Sequence, residues 1–274
     1  MTKRLTPIVV QAPQRSPEWF NARLGNVTAS MVSTTMEYYA VTKAQLNKAI
    51  EYYQLNNASF TNEWTERMLN EYPLEFCLRA GVELREQASR MNYRRGLVAE
   101  RITGMPAELE PYISKDMMWG QSLESEARTM YMLLTKNKVQ EAPLMLHPEL
   151  MCGASPDGLV IDTKTGELGN LEIKCLRSVN HLYKVIETGE VPSDYIDQIQ
   201  MQMWIDGRDW CDFVAYDSRV KEGLHIFIKR IEYDEFYVDN VMIPMVARFL
   251  DECDRDERKF YAIAKQRRAE LQIV

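Results

Sequence analysis

Histidine is nearly absent from this chain, and its scarcity narrows the chemistry on offer. Only His147, His181 and His225 occur in 274 residues, at no ligand spacing, which argues against a zinc site. The five cysteines form no CxxC pair, and an odd count argues against a disulfide framework. Their neighbours are mostly apolar, so they are expected to be buried small hydrophobes in a reducing compartment. No apolar run is long enough to span a membrane, and Met1–Val10 carries no signal-peptide pattern, so the expected location is cytoplasmic with no membrane partner. An excess of positive charge is missing too. The formal charge of −7 disfavours a coat of nucleic acid over the whole surface but leaves room for a local basic channel. Internal repeats, low-complexity tracts and linkers are also lacking. What remains is an ordinary globular composition, 46% apolar, at a length that suits one large domain.

The chain changes character near Val139. Before it, Ser16-Pro17-Glu18 has the form of a helix start, with Pro in the first turn, and Gly25 of a helix end. Thr28 or Ser30 is expected to cap the next helix. Met36–Asp116 is polar and helical in pattern, with helices expected over Ala44–Tyr53, Asn62–Tyr72 and Glu75–Arg95. Trp119, Leu123, Ala127, Tyr131 and Leu134 form one stripe of an amphipathic helix over Trp119–Asn137. After Val139, strands are expected over Met151–Ala154, Leu159–Asp162 and Leu168–Leu176, the last two as a hairpin around Thr163–Gly166. A helix over Ser193–Asp206, strands over Trp210–Tyr216 and Leu224–Ile231, and a helical region from Tyr233 to about Arg268, interrupted near Pro244, complete the pattern. The order predicts a mixed α/β core with a helical N-terminal elaboration.

Chemistry concentrates in Ser155-Pro156-Asp157-Gly158 and, one hairpin later, Glu172-Ile173-Lys174. Glu172 and Lys174 share a strand face, and Ile173 points the other way, into a core. Two carboxylates can hold a hard divalent cation. An ammonium beside them can orient or deprotonate a water, or neutralise a phosphate oxygen. Alone, this pattern is common by chance, and Pro-Asp-Gly is turn chemistry anyway. Its surroundings favour function. Ser193–Asp206 is apolar on most sides, yet Tyr195, Gln198 and Gln202 share one face at i, i+3 and i+7. Polar groups on a buried helix need partners, and this face suits a site where an amide orients water or phosphate. Glu124 borders the apolar stripe of its helix and Glu126 lies two positions off it; either is a solvated glutamate or a third carboxylate for the site. Arg23, Thr28 and Ser30 make a phosphate-friendly set, although capping alone explains the two hydroxyls. Arg90, Arg94 and Arg95 are expected on a solvated helix face, with contact to DNA as the second choice.

With those residues in hand, the chain resembles the YqaJ-type viral recombinases, the family of phage lambda-type exonucleases within the PD-(D/E)xK nuclease superfamily. The matching stretches are Pro17-Glu18-Trp19 with Arg23 through Ser30, and Trp119 through Arg128. They continue with Ser155 through Leu159, Leu171 through Cys175, Tyr195 through Trp204, Tyr216-Asp217 and Glu222 through His225. Order and spacing run in register from Trp119 to about Ile231. The resemblance implies a PD-(D/E)xK core, a mixed central sheet flanked by helices, in a single exonuclease domain over 1–274 with a helical insertion at about 36–116. It implies that Asp157, Glu172 and the Ile173 carbonyl bind Mg²⁺, for which Mn²⁺ can substitute, and that Lys174 is the catalytic lysine. Glu124 and Gln198 are then the accessory acid and amide, and Arg23, Ser30 and Ser155 the grip on a terminal 5′ phosphate. The implied activity is processive 5′-to-3′ digestion of one strand of linear double-stranded DNA by a homotrimer, in host cytoplasm if the chain is phage-encoded. The 3′ tail would pass to a single-strand annealing protein. Two alternatives share parts of the pattern: a related endonuclease or repair nuclease with no use for the end-phosphate set, and a non-catalytic DNA-binding recombination adaptor. Base and electrostatic helper both stay open for Lys174.

Overall fold

The computed structural model describes residues 4–56, 62–107, 114–175, 177–221 and 223–270. Leu176, expected at a strand end, and Glu222, in one of the matching stretches, lie outside them. The chain runs β1 (Ile8–Val10), α1 (Pro17–Arg23), β2 (Val27–Thr28), a 3₁₀ turn (Ala29–Met31) and α2 (Val32–Thr35). Then come α3 (Lys43–Asn56), α4 (Glu63–Glu71), α5 (Pro73–Arg79), α6 (Ala88–Thr103) and α7 (Lys115–Thr135). The second half holds β3 (Lys138–Gln140), β4 (Leu144–Leu146), β5 (Cys152–Ala154), β6 (Gly158–Ile161), β7 (Leu168–Lys174), α8 (Val179–Thr188) and α9 (Ser193–Asp206). It ends with β8 (Trp210–Tyr216), β9 (Ile226–Glu232), α10 (Glu235–Tyr237), a π turn (Val238–Met242) and α11 (Ile243–Glu270).

Five strands form the central sheet in the order β3-β6-β7-β8-β9. Only the β7–β8 pair is parallel, with Glu172 opposite Phe213 and Lys174 opposite Ala215. The sheet is therefore mixed, as expected. Strand alternation sends successive residues to opposite faces. Leu171 and Ile173 of β7 pack with Leu123, Ala127 and Tyr131 of α7. Phe213 and Ala215 of β8 pack on the other face with Ile199 and Met203 of α9 and Leu182 of α8. Glu172 and Lys174 share that α9 face. Ile173 is buried in the α7-side core, as the pattern of β7 requires.

A second sheet, in the order β1-β4-β5-β2, was not foreseen. Its strands have only two or three residues, too few for an alternation to show. Cys152–Ala154, within the strand expected over Met151–Ala154, belongs here and not to the central sheet. The parallel β2–β5 pair sets Val27 against Cys152 and Thr28 against Gly153, which carries the β2 turn next to Ser155.

Other expectations need correction. The helix expected over Glu75–Arg95 is two helices, because Gly81 sits at φ +73° beyond α5, a region glycine favours. α8 was missed altogether. Leu134 is exposed, because the fourfold stripe of α7 continues to Thr135 and the helix ends there. Thr28 precedes the 3₁₀ turn but makes no side-chain cap bond, and Ser30 lies inside that turn. Arg90 and Arg94 do not face solvent. Arg90 is buried and donates to Thr35 O, Glu86 and Glu252, while Arg94 pairs with Glu86, Glu252 and Asp256. Arg95 alone of the three is exposed.

The remaining expectations hold closely. Ser16 caps α1 by accepting from Trp19 N, with Pro17 at its first position. The hairpin, α9 and β8 fall where the pattern put them. The break near Pro244 is the π turn that leads into α11. All five cysteines are free and buried. Helices α3 to α5 pack on the start of α11 through Tyr38, Met68, Phe76, Val241 and Met245. Among the described residues, no helix is long and apolar enough to cross a membrane.

Candidate active site

A cleft of about 760 Å³ opens between α1, α7, the β5–β6 connection, β7 and α9. Asp157, Glu172, Ile173, Lys174, Glu124, Gln198, Arg23, Ser30 and Ser155 all line it. These nine residues thus meet at one place, although the chain separates them widely.

Glu172 is the centre. It is 2% exposed, so its carboxylate has lost nearly all contact with bulk water. A buried charge is tolerated only when paired and hydrogen-bonded. Gln198 Nε2 donates to Oε1 at 2.6 Å, and Gln202 Nε2 donates to Oε2 at 2.7 Å. Lys174 Nζ lies 2.6 Å from Oε1 and also donates to Gln198 Oε1 at 3.2 Å. The Tyr195 ring covers the ammonium at 4.9 Å. The polar face of α9 is therefore built for Glu172 and Lys174. Gln202 is as deeply involved as Gln198, and its spacing one turn further along the same helix was the signal for it.

Asp157 stands just before β6, with its backbone N–H on Leu171 O and its Oδ2 accepting from Ile173 N at 2.7 Å. Gly158 follows for a steric reason: a Cβ there would lie 2.5 Å from the Val139 side chain of the neighbouring strand. Burial raises the Asp157 carboxyl well above the ordinary range, and the nearby Glu172 charge adds to it, with Lys174 opposing. Burial disfavours the Lys174 ammonium, but the Glu172 and Asp157 carboxylates outweigh burial and hold it above its usual value. Lys174 is thus a cation in the metal-free cleft.

Glu124 faces the cleft from α7. Arg128, one turn on, donates to Glu124 Oε1 and to the Asp157 carbonyl, both at 2.8 Å. Arg128 was not among the expected residues, although its i, i+4 spacing from Glu124 could have found it. Arg15 approaches the other oxygen of Glu124 at 3.4 Å. Glu126 points elsewhere and accepts from Tyr216.

The deep end of the cleft belongs to Arg23. Its guanidinium stacks on Trp19 at 4.3 Å and has no carboxylate partner among the described residues. Burial pushes its pKa down, against the influence of Tyr93 and Glu100. α6 braces this corner, since Glu100 accepts from Gly25 N, Arg101 donates to Gly25 O and Tyr93 OH meets Thr28 N. Among the described residues, Ser155 Oγ and Trp19 Nε1 are buried without hydrogen-bond partners, so each has a donor to spare.

The donor set suits a hard cation. Among the described residues no three His, Cys, Asp or Glu side chains cluster to hold a metal. Two carboxylates, one backbone carbonyl and water are what Mg²⁺ accepts, since it keeps several waters. Asp116, Glu124, Asp157 and Glu172 line the cleft against Arg15, Arg23 and Lys174, four anions to three cations. A divalent ion would turn that balance positive, as a phosphodiester requires.

The profile of the YqaJ-like viral recombinase domain matches residues 77–209. The structure of the exonuclease LHK-Exo in complex with dAMP is similar at 32% identity and a TM-score of 0.67, over 92% of this chain and 99% of that one. An alkaline exonuclease structure of LHK-Exo, from Laribacter hongkongensis, matches with the same identity and coverage and a TM-score of 0.66. A phage-related exonuclease from Haemophilus somnus 129PT shares the fold at 13% identity, with a TM-score of 0.55 over 86% of this chain and 96% of that one. No curated protein matches.

Asp157→Asn tests the electrostatics of the site. An acid whose folded pKa is raised penalises the folded state wherever the unfolded chain is already ionised. In chelator at neutral pH, Asp157→Asn is therefore expected to melt above wild type. That advantage fades as pH falls to the ordinary aspartate range, about 4, where both states keep the proton. If Asp157 helps to hold Mg²⁺, the order reverses when the ion is added, because binding to the folded wild type would add about 2.7 kcal/mol at a hundredfold excess over Kd. Thermal melts with and without Mg²⁺ check both halves; a variant that melts below wild type in chelator would show that the carboxylate is not under strain.

Proposed function

This chain belongs to the YqaJ-like viral recombinase family, with alkaline exonucleases as relatives, and from that premise we propose a divalent-metal-dependent exonuclease acting on the 5′ ends of linear double-stranded DNA. The observation that carries the reading is the convergence of Asp157, Glu172 and Lys174 with an Arg23–Ser155 corner in one cleft. Asp157, Glu172 and the Ile173 carbonyl hold Mg²⁺ or Mn²⁺. When bound, that ion polarises the scissile phosphate and lowers the pKa of an attacking water.

The chain's own residues supply the rest. Gln198 and Gln202 fix both oxygens of Glu172, so its carboxylate is presented in one orientation. Lys174, beside both carboxylates, is placed to orient the attacking water and to steady the phosphate oxygens. Glu124, fixed by Arg128, accepts from waters on the far side of the cleft. Arg23, Ser30 and Ser155 grip the terminal 5′ phosphate. The relative LHK-Exo forms a complex with dAMP, a nucleotide that carries such a phosphate. Digestion runs 5′ to 3′ on one strand, and the surviving 3′ tail serves a single-strand annealing protein in phage-type recombination. The helices within 36–116 elaborate one nuclease domain, and α6 contributes by bracing Gly25 beneath Arg23. Three copies in a ring around the duplex would keep this acidic protein on its substrate.

Linear duplexes with 5′-phosphate or 5′-hydroxyl ends, together with a circular control, test the reading. Glu172→Gln and Lys174→Ala are expected to lose at least about a hundredfold in turnover on both linear substrates. Arg23→Ala is expected to lose about tenfold to a hundredfold on the phosphorylated end and little on the hydroxyl end. Cleavage of the circle would point to an endonuclease, and no cleavage by wild type with either Mg²⁺ or Mn²⁺ to an adaptor.

Light scattering checks the ring. A mass of three chains is expected, and a strictly monomeric mass alongside processive digestion would exclude it.

A further inference from the structure

Arg15 occupies a backbone position that a long side chain rarely takes. Ser16 N donates to Pro13 O at 3.0 Å and closes a turn around Gln14 and Arg15. Arg15 has φ +68°, and Lys136 is the only other described non-glycine residue in that left-handed region. Turns of this kind prefer Gly or Asn there. The chain instead places a cation whose guanidinium crosses the cleft to Glu124. That pair is long, at 3.4 Å, and the Arg15 side chain is 46% exposed, so the contact is weak. Glu124 does not depend on it, because Arg128 already holds the other carboxylate oxygen. Neither the turn nor Glu124 accounts for an arginine at this position.

The cleft accounts for it. Arg15 precedes α1 by two residues and Arg23 is its last residue, so the two bracket a helix of seven residues that spans about 10 Å at 1.5 Å per residue. Phosphates on one strand of a duplex advance about 3.4 Å each along its axis. A strand with its terminal phosphate at Arg23 would therefore pass further phosphates within the length of α1. We propose that Arg15 is a second phosphate-binding residue, held on Glu124 in the free protein and exchanged onto a backbone phosphate inside the strand end when DNA enters. The proposal rests on the nuclease reading and deepens it. Arg23 senses the end, whereas Arg15 grips the strand behind it whatever the end carries. The exchange also releases Glu124 Oε2 at the moment the substrate arrives.

The test is binding by fluorescence anisotropy, with Ca²⁺ as the cation, on linear duplexes with 5′-phosphate or 5′-hydroxyl ends over a salt series. Arg15→Gly suits the turn and is expected to melt no lower than wild type. It should bind both duplexes about tenfold more weakly, with the slope of log K against log salt reduced by about 0.9. Arg15→Lys should keep the slope. Glu124→Gln should bind more tightly than wild type, and more so than the same change made in an Arg15→Gly background, because its gain includes freeing Arg15. Unchanged affinity and slope in Arg15→Gly would overturn the proposal. So would a loss confined to the phosphorylated end, or a Glu124→Gln gain of equal size without Arg15. Failure of wild type itself to bind either duplex is read before any variant, and would remove the nuclease reading together with this one.

Discussion

A carboxylate withdrawn from water is the constraint around which this molecule is arranged. Glu172 sits in a central strand with almost no solvent contact, and three partners satisfy its two oxygens. Two are amides one helical turn apart on α9 and the third is the ammonium two residues along β7. Strand alternation and helix periodicity must agree for this to work. Lys174 shares Glu172's face because strands repeat every two residues, and Gln198 and Gln202 converge on it because helices bring i and i+4 together. The apolar residues around them, Ile199 and Met203 on α9 and Phe213 on β8, hold the two elements at that spacing.

Everything else in the cleft is brought to this carboxylate by topology. Antiparallel pairing of β6 with β7 sets Asp157 beside Ile173, and the Ile173 N–H fixes one of its oxygens. Parallel pairing of β2 with β5 delivers the Thr28–Ser30 turn to Ser155, more than a hundred residues away. α6, from the helical N-terminal region, clasps Gly25 with Glu100 and Arg101 and so fixes the loop after Arg23. Opposite charges fill the cleft in near balance, with Asp157 and Lys174 beside Glu172 and the Arg23 guanidinium stacked on Trp19. In the proposed function, that polarity would give a DNA end a direction: phosphate towards Arg23, scissile bond towards Glu172.

How much of this was legible depended on the length of each element. β7 and α9 are long enough to show their periods, so Ile173 inward, Glu172 and Lys174 together, and the glutamine face could all be read directly. α1 announced itself through Ser16 and Pro17. The second sheet could not be read, because strands of two or three residues have no period. Arg90 and Arg94 were misplaced for a different reason. Their partners Glu252 and Asp256 lie some 160 positions away on α11, and nothing local distinguishes a buried arginine from a solvated one. Arg15 escaped notice because its significance lies in a backbone angle. The roles proposed for Asp157 and Arg23 are implied by the family resemblance, which rests on several motifs in order rather than on any one of them.

The central claim is that Asp157, Glu172 and the Ile173 carbonyl form the seat of a catalytic divalent cation. Anomalous scattering from crystals grown with Mn²⁺ measures this directly. The account predicts a peak within coordination distance of an Asp157 oxygen, a Glu172 oxygen and the Ile173 carbonyl, with the remaining positions taken by water. A fully occupied Mn²⁺ elsewhere in the cleft, or none while the crystals' protein still cleaves DNA with that ion, would contradict it.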